Sequence, residues 1–236
     1  MLFEPEPKFR GLPREGFALF SLPDREQRRR EIVATIHPAL AALGDDLVAR
    51  LSPLAERPLH AHLPRLDWPR DYQPFCTWLA LSRETHGYQS GPQLNLGVHA
   101  THVAIRLGWD VAAAGFGRFE FLCRHADLGA ELLALAAGSG LAFRVYASAR
   151  WPAGSREVFC STDDLAGSFA EIARHGVWWE LGRTHPLPAA LDLVSSPALG
   201  EEAAAVFTAL LAVYDRIAGH DPADGAPDEP GATGHP

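Results

Sequence analysis

The sequence predicts an α+β fold, a mainly antiparallel sheet with helices packed on one side. Three observations carry this. Several short runs alternate apolar and polar residues, the period of a strand with one buried face. Two such runs flank a short connection in GPQLNLGVHATHVAIRLG (91–108), the signature of a hairpin and so of antiparallel pairing. Longer segments with apolar residues three and four apart stand before, between and after these runs, as amphipathic helices do. The chain has 236 residues and is 47% hydrophobic, enough for one sizeable core or for two similar α+β halves.

The elements follow in order. Residues 1–16 hold three prolines and read as an irregular arm. FSLPDREQRRREIVATIHPALAALG reads as a helix, with Ser21 and Asp24 as capping residues, Pro23 in the first turn, and Ile32, Ile36, Leu40 and Leu43 at helical spacing. Pro38 should kink or split it, and Gly44 should stop it before a short further helix in DDLVARLSPL. Strands are expected in RPLHAHLPRL and PFCTWLALS, then on both sides of the hairpin connection His99-Ala100-Thr101. A helix from about Phe116 to Ala137 ends at GSG, and AFRVYASAR is a strand. STDDLAGSFAEIARHG is a capped helix, VWWELGRT a strand, and GEEAAAVFTALLAVYDRIAG the last helix. About six strands result. A single α+β domain over 17–219 is expected, followed by a disordered acidic tail at 220–236. FSLPD (20–24) and FCSTD (159–163) each open a helix, as duplicated halves would, although two ordinary capped helices leave the same trace.

Composition excludes several classes. The N-terminus has no apolar h-region, and no run nears the roughly 18 apolar residues of a membrane helix. A cytoplasmic protein without a membrane partner is therefore expected. The net charge is −8, and four of the acids lie in the tail, so no long basic stripe offers itself to nucleic acid. Cys76, Cys123 and Cys160 lack C-x-x-C spacing and read as idle thiols. AGFGRF (114–119) lacks the third glycine of a dinucleotide loop, and Cys123 and His125, two apart on a helix, point to different sides.

The hairpin carries the candidate site. His102 and Arg106 fall on the face opposite Val103, Ile105 and Leu107, and Gln93 and Asn95 share that face of the preceding strand. His60, His62, Arg144 and Tyr146 join them if their strands enter the same sheet. Three readings compete. One is a solvated or helix-covered polar face. The second is a site for a small anionic ligand, with Arg106 and Arg144 gripping phosphate or carboxylate and His102, Asn95, Gln93 and Tyr146 orienting it. The third is a zinc centre on His60, His62 and His102 that activates water for hydrolysis, the one cofactor the sequence suggests. His99 is expected in the turn, exposed. Trp178 and Trp179 should place one indole on each face, one of them in the core.

TWLALSRETHGYQSGPQLNLGVHATHVAIRL resembles the central motif of the YktB-like family, bacterial proteins with a domain of unknown function. The matching residues are Thr77-Trp78, Gly87-Tyr88, Pro92 to Gly97, and His102-Val103. FALFSLPDREQRRREIVATIHPALAALG is similar to that family's first helix and FTALLAVYDRIA to its closing one, so the resemblance extends over about 15–219. The chain departs from the pattern at LPRLDWPRD and at His99-Ala100, where the family carries a basic cluster and an aromatic-acidic pair. The resemblance implies an α+β fold and no assigned activity. It leaves open a binding or regulatory protein, a metal-dependent hydrolase and a nucleic-acid-associated protein, as well as the oligomeric state.

Overall fold

The computed structural model describes residues 9–66, 75–110, 113, 116–125, 127–146, 155–157, 165, 167, 169 and 178–218, with only the backbone at 90, 144–146 and 155–157. Residues 1–8 of the expected arm, most of the helix expected over 161–176 and the tail at 220–236 lie outside them. The second copy of the FSLPD echo lies outside them as well.

Residues 9–13 have no regular structure but are anchored to the body. Phe9 and Leu12 are buried, and the Leu12 amide donates to the Val194 carbonyl at 2.9 Å. Gly11 sits at φ +111° against the backbone of Ser195 and Ser196, where a Cβ would lie 2.3 Å from a carbonyl carbon. A 3-10 helix over Arg14–Ser21 then buries Phe17 and Phe20. Helix α1 (Arg25–Thr35) is capped by Asp24, whose carboxylate accepts from the Gln27 amide at 2.6 Å. Pro23 therefore precedes the cap rather than lying in the first turn.

Pro38 does split the helical segment: α2 (His37–Leu51) starts with this proline in its first turn. Gly44 does not stop α2. It lies mid-helix, and a Cβ there would come within 3.0 Å of Ala61 Cβ and Leu79 Cδ1. The glycine brings α2 close to the sheet, a use that a sequence alone does not separate from a stop.

All strand pairings are antiparallel. The strands are β1 (His60–His62), β2 (Cys76–Ser82), β3 (Gln93–His99), β4 (His102–Asp110), β5 (Ala142–Tyr146), β6 (Ser155–Glu157) and β7 (Trp178–Pro186). Their order in the sheet is β1-β2-β3-β4-β7-β5-β6. The seventh strand beyond the six expected is the three-residue edge β6; the other edge, β1, is the expected RPLHAHLPRL strand shortened to three residues. Between β4 and β5 the expected single helix is two, α3 (Phe116–His125) and α4 (Leu128–Ser139). Gly129 makes the corner, where a Cβ would lie 2.7 Å from the Cys123 carbonyl oxygen. Gly140, at φ +62°, caps α4 as the GSG signal predicts. A short α5 (Leu191–Val194) and the long α6 (Ala198–Ala218) follow.

One sheet face is apolar. Leu79 and Leu81, Leu94 and Leu96, Ile105 and Leu107, and Trp179 and Leu181 line it in register. Helices cover this side. Gly44 of α2 touches Ala61 and Leu79, and Phe119 of α3 packs on Trp179 at 4.7 Å and on Trp109 at 5.3 Å between ring centroids. Helix α6 contacts β3 and β4 and buries Val206, Phe207, Leu210 and Leu211. No single described helix is long and apolar enough to cross a membrane.

The opposite face is polar and is not an open, solvated surface. Gln93, Asn95, Arg106 and Glu180 keep only 2, 3, 6 and 2% of their surface exposed. Strands β3 and β4 are thus buried on both faces, with polar groups on the side away from the described helices.

Candidate functional site

The polar face is built on small residues. Along the rows of the sheet, Ala80, Gly97, Ala104, Gly108 and Gly182 alternate with the polar positions. Glycine is required at the centre because large side chains lie flat over it. A Cβ on Gly108 would be 2.2 Å from the Trp178 ring, and one on Gly97 would be 2.9 Å from Arg106 Nη2. Arg106 and Trp178 therefore lie along the sheet rather than standing off it, with the guanidinium carbon 5.9 Å from the indole centroid.

Two side chains hold Arg106 directly, each backed by a second. Its Nη1 is 2.7 Å from Glu180 Oε2, and both side chains are almost fully buried. Its Nε donates to Asn95 Oδ1 at 3.3 Å. The Asn95 amide nitrogen in turn donates to Gln93 Oε1 at 3.4 Å. Glu180 also accepts from the Trp178 indole nitrogen at 2.9 Å. Glu180 and Trp178 enter because β7 pairs with β4, which places Glu180 opposite Gly108. The alternation in VWWELGRT already puts Trp178, Glu180 and Gly182 on one face, but only the strand order shows which face they meet.

Arg144 takes the next register position, opposite Glu180 on one side and Glu157 on the other, and Tyr146 is opposite Trp178. Their side chains lie outside the described residues. Of the expected ligand-binding group, Gln93, Asn95 and Arg106 form one linked row. His102 stands at the hairpin end of the same face, half-buried, opposite Pro186.

His99 departs from its expected place. The connection is only Ala100-Thr101, so His99 ends β3 and is 5% exposed. Its ring stacks on His102 with centroids 4.1 Å apart and planes 11° apart. Cys76 is the partner of His99 across β2. Burial pushes the Cys76 thiol up to about 12 against the opposing charge of Arg106, so it is a neutral thiol near pH 7.

His60, His62 and His102 are not brought together. His62 pairs with Ala80, whose row runs through Asn95 to Arg106, four residues along β4 from His102. Three strand spacings of about 4.8 Å and four rises of about 3.3 Å separate them. Zinc ligands must each lie about 2 Å from the metal. The expected three-histidine centre is therefore not formed. Among the described residues, no group of three or more His, Cys, Asp or Glu could hold a metal ion.

His62 has a different setting. Its Nε2 donates to the Glu84 carbonyl at 2.8 Å and lies 3.2 Å from Ser82 Oγ, and its ring stacks on Tyr88 at 4.8 Å. With Nε2 carrying the proton, His62 cannot take one from Ser82, so this serine-histidine pair is not an activated nucleophile. Burial holds His62 below its ordinary pKa, as do the neighbouring His60 and His86, against the Glu84 carbonyl, which acts the other way. The Tyr88 hydroxyl accepts from the Trp78 indole at 3.1 Å and is raised by burial. On this face the acceptor oxygens of Glu180 and Asn95 orient a buried guanidinium, itself a hydrogen-bond donor.

Comparison with known proteins covers the first half of this architecture. Residues 13–112, from the first 3-10 helix through β4, match the family described as Domain of unknown function (DUF1054). Similar relatives include UPF0637 proteins of Bacillus thuringiensis (strain Al Hakam), Bacillus cereus (strain AH187) and Bacillus anthracis (strain CDC 684 / NRRL 3495). Each is 32% identical over 92 residues, which is 39% of this chain and 44% of the relative. The chain thus spans less than half the length of the curated relatives it matches. The matched residues contain Gln93, Asn95, His99, His102 and Arg106. They end before β7 and the closing helix α6.

Proposed function

We propose, from a chain whose residues 13–112 are a YktB-like bacterial domain of unknown function, that the protein is a cytoplasmic binding or regulatory protein. Its ligand is a small anion, held on the polar sheet face. Arg106 grips the anion, Asn95 and Gln93 hold the guanidinium and its neighbours in place, and His102 borders the site at the hairpin end. Arg144 and Tyr146, on the strand beyond β7, complete it.

The observation that carries this reading is the burial of Arg106, whose guanidinium meets Glu180 at Nη1, Asn95 at Nε and the Trp178 ring on one face. A buried ion pair is seldom a net gain in stability over apolar residues of similar size. A guanidinium oriented in advance loses little on binding, which suits it to carboxylate or phosphate.

The test is thermal denaturation of the whole chain with inorganic phosphate, acetate and adenosine monophosphate, for wild type and Arg106→Met. A ligand that binds only the folded state stabilises it by about 2.7 kcal/mol at a hundred times its dissociation constant. A rise in wild-type midpoint that is absent in Arg106→Met supports the reading. No rise with any of the three anions refutes it.

A further inference from the structure

We propose that His99 is the second donor of this anion site, facing Arg106 across Gly97. The inference rests on the reading of the polar face as a ligand site and adds a binding residue to it.

The geometry centres on one backbone position. A Cβ on Gly97 would lie 2.9 Å from Arg106 Nη2 and 3.2 Å from His99 Nε2. Two nitrogens from different strands therefore converge over the same glycine. Alternation along β3 puts Asn95, Gly97 and His99 on one face, and the β3–β4 register places Arg106 opposite Asn95. Both donors are held. Arg106 is fixed by Glu180 and Asn95, while the His99 ring is held parallel to His102 and lies 6.5 Å from the Phe75 ring. Both side chains are more than nine-tenths buried.

An oxygen of a carboxylate or phosphate seated above Gly97 would take one hydrogen bond from each nitrogen. Glycine is what such a seat needs, since any side chain would fill it. The Glu180 carboxylate lies on the far side of the guanidinium, at Nη1, and orients Nη2 toward the seat. The half-buried His102 marks the solvent side of the seat.

The test is calorimetric titration of the whole chain with inorganic phosphate and, separately, acetate. Wild type, Arg106→Met, His99→Asn and Gly97→Ala are compared, with circular dichroism to confirm folding. The expected result is binding of at least one anion by wild type, weakened at least tenfold in both His99→Asn and Gly97→Ala. The stronger of the two anions assigns the seat to phosphate or to carboxylate. Binding that is lost in Arg106→Met but kept within twofold in His99→Asn overturns the role of His99 and leaves the polar-face site standing. Should Gly97→Ala fail to fold, His99→Asn decides alone. Wild type that takes up neither anion overturns the seat over Gly97, and the polar-face reading falls with it when adenosine monophosphate also fails to raise the melting midpoint.

Discussion

Gly108→Ala places a methyl group 2.2 Å from Cζ2 and 2.8 Å from Cε2 of Trp178. Ordinary carbon contacts begin near 3.5 Å, so the indole must withdraw by more than about 1 Å. It has two torsions and no flexible end, and it rests on a strand next to the one that carries the new methyl. Withdrawal breaks its 2.9 Å hydrogen bond to the buried Glu180 carboxylate. Overpacking costs about 1–3 kcal/mol and a lost bond to a buried charged group about 1.5–3. The expected destabilisation is about 2.5–6 kcal/mol, the two costs together, read as a lower urea midpoint at unchanged slope. Gly138→Ala is the matched control: it is an exposed α4 position where a Cβ meets nothing within 4 Å. Helix propensity should stabilise that variant by about 0.5–1 kcal/mol. A Gly108→Ala change below about 1 kcal/mol would show that the indole does not lie over the sheet, and the account of the polar face would fail with it.

Further outcomes are expected. Stability should fall as pH drops below 6.5, because burial, acting first in each case, lowers the pKa of His37, His62 and His185 in the folded state. A group depressed on folding binds its proton more readily in the unfolded chain, so acid favours unfolding and the loss vanishes above the unfolded pKa. Urea midpoints at pH 7.5 and 5.5 check this, and His37→Gln should flatten part of the slope; a midpoint constant over that range contradicts it. Cys76 and Cys123 are buried with thiols pushed up to about 12, so in Cys160→Ser neither should react with a disulfide reagent at pH 8 until urea unfolds the chain. Asp24→Ala should cost about 1 kcal/mol by removing the cap bond to Gln27, seen in thermal melts; no change would place the start of α1 elsewhere.

The hairpin was legible because its alternation is strict. Leu94, Leu96 and Val98 against Val103, Ile105 and Leu107 fix both the pairing and the faces, and so assign Gln93, Asn95 and Arg106 correctly to one side. What periodicity cannot supply is order across the sheet. Glu180 meets Arg106 through a pairing some seventy residues distant, and His102 is kept from His60 and His62 by the position of β1 at the far edge. His99 was misplaced by one residue of turn length, since a two-residue connection turns an exposed loop histidine into a buried strand end. Gly44 and the α3–α4 corner show the same limit: whether a glycine stops a helix or admits a neighbour depends on a partner that local sequence does not name.

Trp178 and Trp179 are adjacent in sequence and lie on opposite faces of the sheet, which makes them paired reporters. The indole N–H resonance of each, assigned with Trp178→Phe and Trp179→Phe, can be followed by NMR while phosphate or acetate is added to the whole chain. The account predicts a saturable shift of the Trp178 signal, which bonds to Glu180 beside Arg106, and a stationary Trp179 signal in the helix-covered core. A Trp178 signal that does not move while another tryptophan titrates would place the anion elsewhere and contradict the polar face as the binding site.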